Sequence, residues 1–147
     1  MDLNVSREAV SKWENGRTKI PADIAATMME RKENPWFALA IRSEYTKTGP
    51  MRLDGPNTDL HRSSVREKAL EETIELVNCL TNFSFAKPLQ NLSDWEKPEL
   101  HNLLEETVEA ITGLEHLLAV VCEEADISYM EMWQKHHQQL KAKGYIQ

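Results

Sequence analysis

Cysteine is scarce in this chain. Cys79 and Cys122 are the only two in 147 residues, and they lie far apart in separate helical patterns. No disulfide framework is expected, and both read as thiols of a reducing cytoplasm. No apolar run approaches the ~18 residues that a membrane-crossing helix takes. The N-terminus has no apolar core of the kind a signal peptide carries. The five glycines are scattered through loops, helix ends and one mid-helix position, Gly113. They form no phosphate-cradling loop, and no G-x-S-x-G is present, so nucleophilic serine or cysteine chemistry has no support. No stretch alternates like a strand, which leaves an all-α fold class. What is present, 41% hydrophobic and 28% charged residues, suits a folded chain of one or two small domains.

Charge is distributed unevenly. Residues 1–52 hold nine Lys/Arg and seven Asp/Glu, a net +2, whereas residues 53–147 hold eight and seventeen, a net −9. Only the N-terminal part is expected to tolerate a polyanion. The acidic remainder would repel DNA and suits self-association or partner binding, or is an ordinary solvated acidic surface.

The most informative stretch is VSREAVSKWENGRTKIP, residues 5–21. Ser6 is a suitable N-cap, because its hydroxyl can accept from a free backbone N–H of the first turn. Val10 and Trp13 share one helix face with Ala9 beside them, and Arg7, Glu8, Ser11 and Lys12 point elsewhere. Gly16 follows Asn15 where a left-handed residue would stop the helix. The spacing predicts a short helix with a small apolar back and a charged front.

The run Ser6, Ala9-Val10-Ser11, Trp13-Glu14-Asn15-Gly16-Arg17, Thr18-Lys19 and Pro21 resembles the recognition helix of Cro/CI-type (XRE-type) helix-turn-helix regulators, over Leu3 to about Met29. In such domains this helix lies in the DNA major groove with its N-terminal residues at base edges. The resemblance implies that Arg7, Glu8 and Lys12 face bases, with Ser6 capping, and that Ser11, Asn15, Arg17 and Lys19 lie near phosphates. Val10 and Trp13 would form the buried back. The family's domain begins with two further helices, whereas only Met1-Asp2-Leu3-Asn4 precede the turn here. Leu3-Asn4-Val5 resembles the tail of the missing one, so a regulator truncated at its N-terminus, or one whose true start lies upstream, is expected.

Further along, Pro21 opens a second helix with Ile24, Ala25, Met28 and Met29 on its apolar face. Asn34-Pro35 opens a third, carrying Trp36, Phe37, Ala40 and Ile41 to Tyr45. Both are expected to pack behind the recognition helix. Residues 46–60 hold two Gly-Pro dipeptides and read as a linker. Its Asp54, Asp59 and His61 match no strong metal-ligand spacing and are better explained as turn formers. Ser63 or Ser64, with Glu67 as a capping box, is expected to start a helix reaching Leu80. Its apolar side is Val65, Ala69, Leu76 and Leu80, with Glu72 and Glu75 on the acidic side. A loop with a short turn near Ser93 precedes the longest helix, from Pro98 to about Glu124. The stripe Leu100, Leu104, Ile111, Leu114, Leu118 and Val121 alternates three and four like a helix-pairing seam, open to burial within the chain or between subunits. Ser128 caps a last helix that Gly144 ends. His116, His136 and His137 read as surface residues.

The second half also resembles, over Glu105 to Lys141, the all-α nucleotide pyrophosphohydrolases related to MazG. E-x-x-E pairs occur at Glu72/Glu75 and Glu106/Glu109. That resemblance implies Mg²⁺ held by Glu72, Glu75, Glu106 and Glu109, with Lys135 as a phosphate contact. Against this, the helical wheel turns Glu75 and Glu109 away from their own apolar stripes, as in a solvated acidic face.

The expectation is an all-α protein with a partial helix-turn-helix module at 1–45, a linker at 46–60 and an acidic helical dimerisation domain at 61–147. It would be a non-enzymatic, cofactor-free transcriptional regulator or repressor of phage or bacterial type, working in the cytoplasm as a homodimer on double-stranded DNA and away from membranes. The alternatives are the Mg²⁺-dependent hydrolase and an interaction protein that has lost DNA binding.

Overall fold

A computed structural model describes residues 5–147, so the expected helix tail at Leu3-Asn4 lies outside the described residues. The described residues form an all-α protein: α1 (Arg7–Glu14), α2 (Ala22–Arg31), α3 (Pro35–Thr46), α4 (Arg62–Asn82), α5 (Lys97–Ala125) and α6 (Tyr129–Ala142). No helix among them is long and apolar enough to cross a membrane.

The long hairpin of α4 and α5 is the frame. Its antiparallel register follows from the pairs that meet across it: Cys79 with Asn102, and Ala69 with Gly113. Gly113 has a helical backbone, where glycine costs about 1 kcal/mol relative to alanine. Its use here is close approach: a Cβ at Gly113 would stand 3.3 Å from the Ala69 Cα. Ala69 and Ala110, both buried, extend this small-residue crossing.

The core sits at the end of the hairpin where α4 starts and α5 finishes. Trp36 and Leu39 of α3 pack there on Val65, Ala119 and Val120, with Leu60 and Leu117 against the cluster. The Trp36 indole N–H donates to Glu123 Oε2 at 3.0 Å, and the Arg52 guanidinium lies 4.8 Å over its ring. Asn34 caps α3 through the Phe37 N–H, and Pro35 occupies the first turn as expected. The preceding Glu33 accepts from the Ser128 hydroxyl and the Met130 N–H, tying the α2–α3 turn to the start of α6.

Two expectations are corrected. His61, not Ser63 or Ser64, caps α4, accepting from the Ser63 N–H. Ser64 instead donates to Asp59, whose other oxygen takes the His61 N–H. His116 is buried rather than on the surface, at 2% exposure, because it turns under α3 beside Trp36. Of the two burials open to the α5 seam, the one within the chain is not seen: Leu103 and Ala110 are buried, whereas Leu104, Ile111, Leu114 and Val121 are exposed. The wheel was centred on the larger residues, and the small ones define the contact.

The outcome is a hairpin with two unlike sides. Leu70, Ile74 and Val77 on α4, and Leu104, Val108, Ile111 and Leu114 on α5, are each 44–62% exposed. At ~100° per residue they lie clockwise of each helix's contact stripe, and antiparallel pairing brings both sets to one face. The opposite side carries acids and is partly covered by residues 53–60.

Candidate functional site

Two regions bear on function: the exposed helix α1, and the acidic side of the hairpin. In α1 the Ser6 hydroxyl accepts from the Ala9 N–H at 3.2 Å, and Asn15 closes the helix at its C-cap. Gly16 then adopts φ +64°, the left-handed conformation that glycine takes without a Cβ clash. Arg7, Glu8, Ser11, Lys12, Asn15 and Arg17 are exposed. The Asn15 amide donates back to Ser11 O at 2.7 Å, so those two side chains work locally as a cap. Lys19 is turned to α3, pairing with Glu44 at 3.1 Å and lying 5.5 Å from the Tyr45 ring centre. The side chains of Arg7, Lys12 and Arg17 form no ion pair or hydrogen bond with the described residues. The apolar back is thinner than expected: Val10 and Trp13 are half-buried, and no residue of α1 is fully buried. α2 and α3 pack on each other, and α3 on α5.

The acidic side is more tightly built. Close crossing at Ala69 and Gly113 brings Glu72 of α4 toward Glu106 and Glu109 of α5. One oxygen from each of the three lies within 4.8 Å of the others. Glu72 is only 4% exposed. Its Oε1 takes the Lys68 ammonium at 2.5 Å, while its Oε2 is buried without a donor. Glu106 Oε2 is buried and unpartnered too. A buried, unpaired carboxylate oxygen is costly, and three acids facing one lysine leave a net charge of −2. The charge on Glu72, followed by a shared hydrogen bond with it, raises the Glu109 carboxyl above the usual carboxylate range. Such a bond exists only when one of the pair carries a proton. When both are ionised, Glu72 Oε2 can be satisfied by a cation or by a donor from the cavity.

Glu109 is exposed, as the wheel predicts, and it nevertheless lies at the mouth of this cluster. Its angular distance from the small-residue contact stripe is what matters, and that distance is modest. Glu75 is exposed and outside the cluster, and Lys135 is exposed on α6. Asp54, Asp59 and His61 form no cation cluster among the described residues.

The acids open onto a cavity of about 460 Å³ between the hairpin and the linker. Lys68, Glu72, Glu109 and Thr112 line it from the helices, and Leu53, Asn57, Thr58 and Asp59 from the linker. The linker is held by His116, whose Nε2 accepts the Leu53 N–H at 3.1 Å. That bond places the imidazole proton on Nδ1, which donates to Thr112 O at 2.8 Å. His116 carried no sequence signal, because the residues that enclose it come from α3 and the linker.

Compared with known protein families, curated proteins and solved structures, the chain matches none.

Proposed function

We propose that this protein is a sequence-specific DNA-binding regulator that reads duplex DNA through α1 and acts as a homodimer. The observation that carries the reading is the set of three cations, Arg7, Lys12 and Arg17, exposed on or just after a Ser6-capped helix, their side chains paired with no acid among the described residues. Unpaired cations on a small, rigid element are what phosphate and guanine recognition takes. The W-E-N-G-R-T-K-I-P run supports the same reading. Arg7, Glu8 and Lys12 would read base edges, with Ser11, Asn15 and Arg17 toward phosphates. Lys19, already paired with Glu44, would contribute less.

The open apolar face of the hairpin supports dimerisation. Seven half-exposed side chains amount to roughly 700 Å², near the ~800 Å² per partner of a standard interface. A two-fold axis through this face would form a four-helix bundle and present two copies of α1. Selection of the full chain against randomised duplex DNA tests the proposal. The expected product is a pair of inverted half-sites about one helical turn apart. Recovery of unenriched sequence rejects it.

A second reading, Mg²⁺-dependent hydrolysis of nucleoside triphosphates, is favoured by one observation: the unpartnered, buried Glu72 Oε2 aimed at Glu106 and Glu109. Hard divalent cations take carboxylate oxygens and keep several waters, and this donor set fits. A bound cation there would polarise a phosphoryl oxygen or a water. Pyrophosphate release from a nucleotide panel with Mg²⁺, lost in Glu72→Gln, would establish it. No release with any nucleotide removes it.

A further inference from the structure

The acid cluster and the linker share a cavity, although they belong to different parts of the chain. The floor is Glu72 and Glu109, with Glu106 beside them; the facing wall is the linker, with oxygen atoms on Asn57, Thr58 and Asp59. Glu72 is more than nine-tenths buried, one of its oxygens is unpartnered, and a carboxylate oxygen of it lies within 4.8 Å of one on Glu106 and one on Glu109, so the acids are a built feature and not only a charged surface.

We infer that residues 53–60 are the second wall of a divalent-cation site, so that a bound, hydrated cation fastens the linker to the α4–α5 hairpin. This rests on the reading that Glu72, Glu106 and Glu109 hold a cation. The physical reasons are charge and size. Three carboxylates and Lys68 leave −2 at the floor, which one divalent cation neutralises. Three carboxylate oxygens fill about half of an octahedral shell, and Mg²⁺ or Mn²⁺ retains water at the other positions. Those waters are strong donors, and a cavity of about 460 Å³ leaves room for them. The groups facing them across the cavity are acceptors: the Asp59 carboxylate and the Asn57 and Thr58 side-chain oxygens. Without a cation, the linker is held by the bond from Leu53 N–H to His116 and, at its α4 end, by the Ser64 hydroxyl on Asp59 and by Leu60 against the core. The helices α3 and α5 are already packed together through Trp36 and Leu39, so a cation that binds one linker arrangement in preference to others acts on the linker itself.

The test uses the full chain, with Mn²⁺ as the probe. Calorimetry measures cation binding, and amide hydrogen exchange followed by mass spectrometry measures the peptide spanning 50–61. The expected result is saturable Mn²⁺ binding with exchange over 53–60 slowed at least about fivefold, and loss of both in Glu72→Gln. Glu106→Gln serves as a second, near-isosteric variant should Glu72→Gln fail to fold. Binding without slowed exchange overturns the linker inference and leaves the cation reading standing. No binding overturns both. Slowed exchange that survives in both variants places the cation elsewhere and overturns the inference.

Discussion

Glu72 and Glu109, on facing helices, present carboxylate oxygens within 4.8 Å of each other, and only one lysine is at hand to offset them. The Glu109 carboxyl is raised above its ordinary value of 4.5 by the Glu72 charge. The folded protein thus binds this proton more tightly than the unfolded chain. Its stabilising contribution is fully present below the ordinary carboxylate pKa and is lost as pH rises through the raised value. Thermal unfolding of Glu109→Gln between about pH 4 and pH 7 is expected to show less of this fall than the wild type. Saturating Mn²⁺ should offset it as well, by replacing the proton.

Lys68 is the one cation bonded to Glu72, and this ion pair holds its pKa above the ordinary lysine value. Lys68→Met would leave Glu72 buried with neither oxygen paired. A loss of about 1–3 kcal/mol is expected in denaturant unfolding without divalent cations, below the ~3–5 kcal/mol of a fully buried pair because Lys68 is itself exposed. The double variant with Glu72→Gln should recover most of it. Additive losses would mean that the two groups are not coupled.

His116 joins three parts of the fold: it accepts from Leu53, donates to Thr112 and packs beside Trp36. His116→Ala removes a buried ring and leaves the Leu53 N–H without its acceptor. It is expected to destabilise by about 2–4 kcal/mol. The diagnostic sign is faster exchange at the Leu53 amide under conditions where the hairpin stays protected.

The apolar face predicts self-association. Val108 is 62% exposed at the middle of that face and far from the core around Trp36. Val108→Glu is expected to shift sedimentation from dimer to monomer with helical circular dichroism preserved. A wild-type protein that sediments as a monomer at tens of micromolar (~10–100 µM) would remove the dimer from the account.

Helices with a strong local signal were legible from sequence. Ser6, Asn34 and Ser128 cap helices where their side-chain oxygens predicted it, and Gly16 and Gly144 take positive φ just beyond helix ends. The α4–α5 contact was not legible in the same way. Periodicity favours the largest apolar residues, yet Ala69, Ala110 and Gly113 make the closest crossing. That crossing rotates both helices, exposes the leucine seam and carries Glu72 inward. Three of the four acids considered for a cation site meet, and Glu75 does not, because the rotation turns it to solvent. His61 displaced the expected serine cap because Asp59 engages Ser64. None of these effects is local in sequence.

The central claim is that α1 binds duplex DNA through Arg7, Lys12 and Arg17. Arg7→Ala should cost roughly 1–3 kcal/mol and relax specificity at one base position, whereas Arg17→Ala should weaken binding to all sequences alike. The most direct measurement is fluorescence anisotropy of the full chain on a labelled duplex across about 50–200 mM salt. The account predicts affinity that falls linearly on a log–log plot, with the slope reduced by about 1 in Arg17→Ala. Absence of binding at the lowest salt, or a slope unchanged in Arg7→Ala, Lys12→Ala and Arg17→Ala alike, would contradict it.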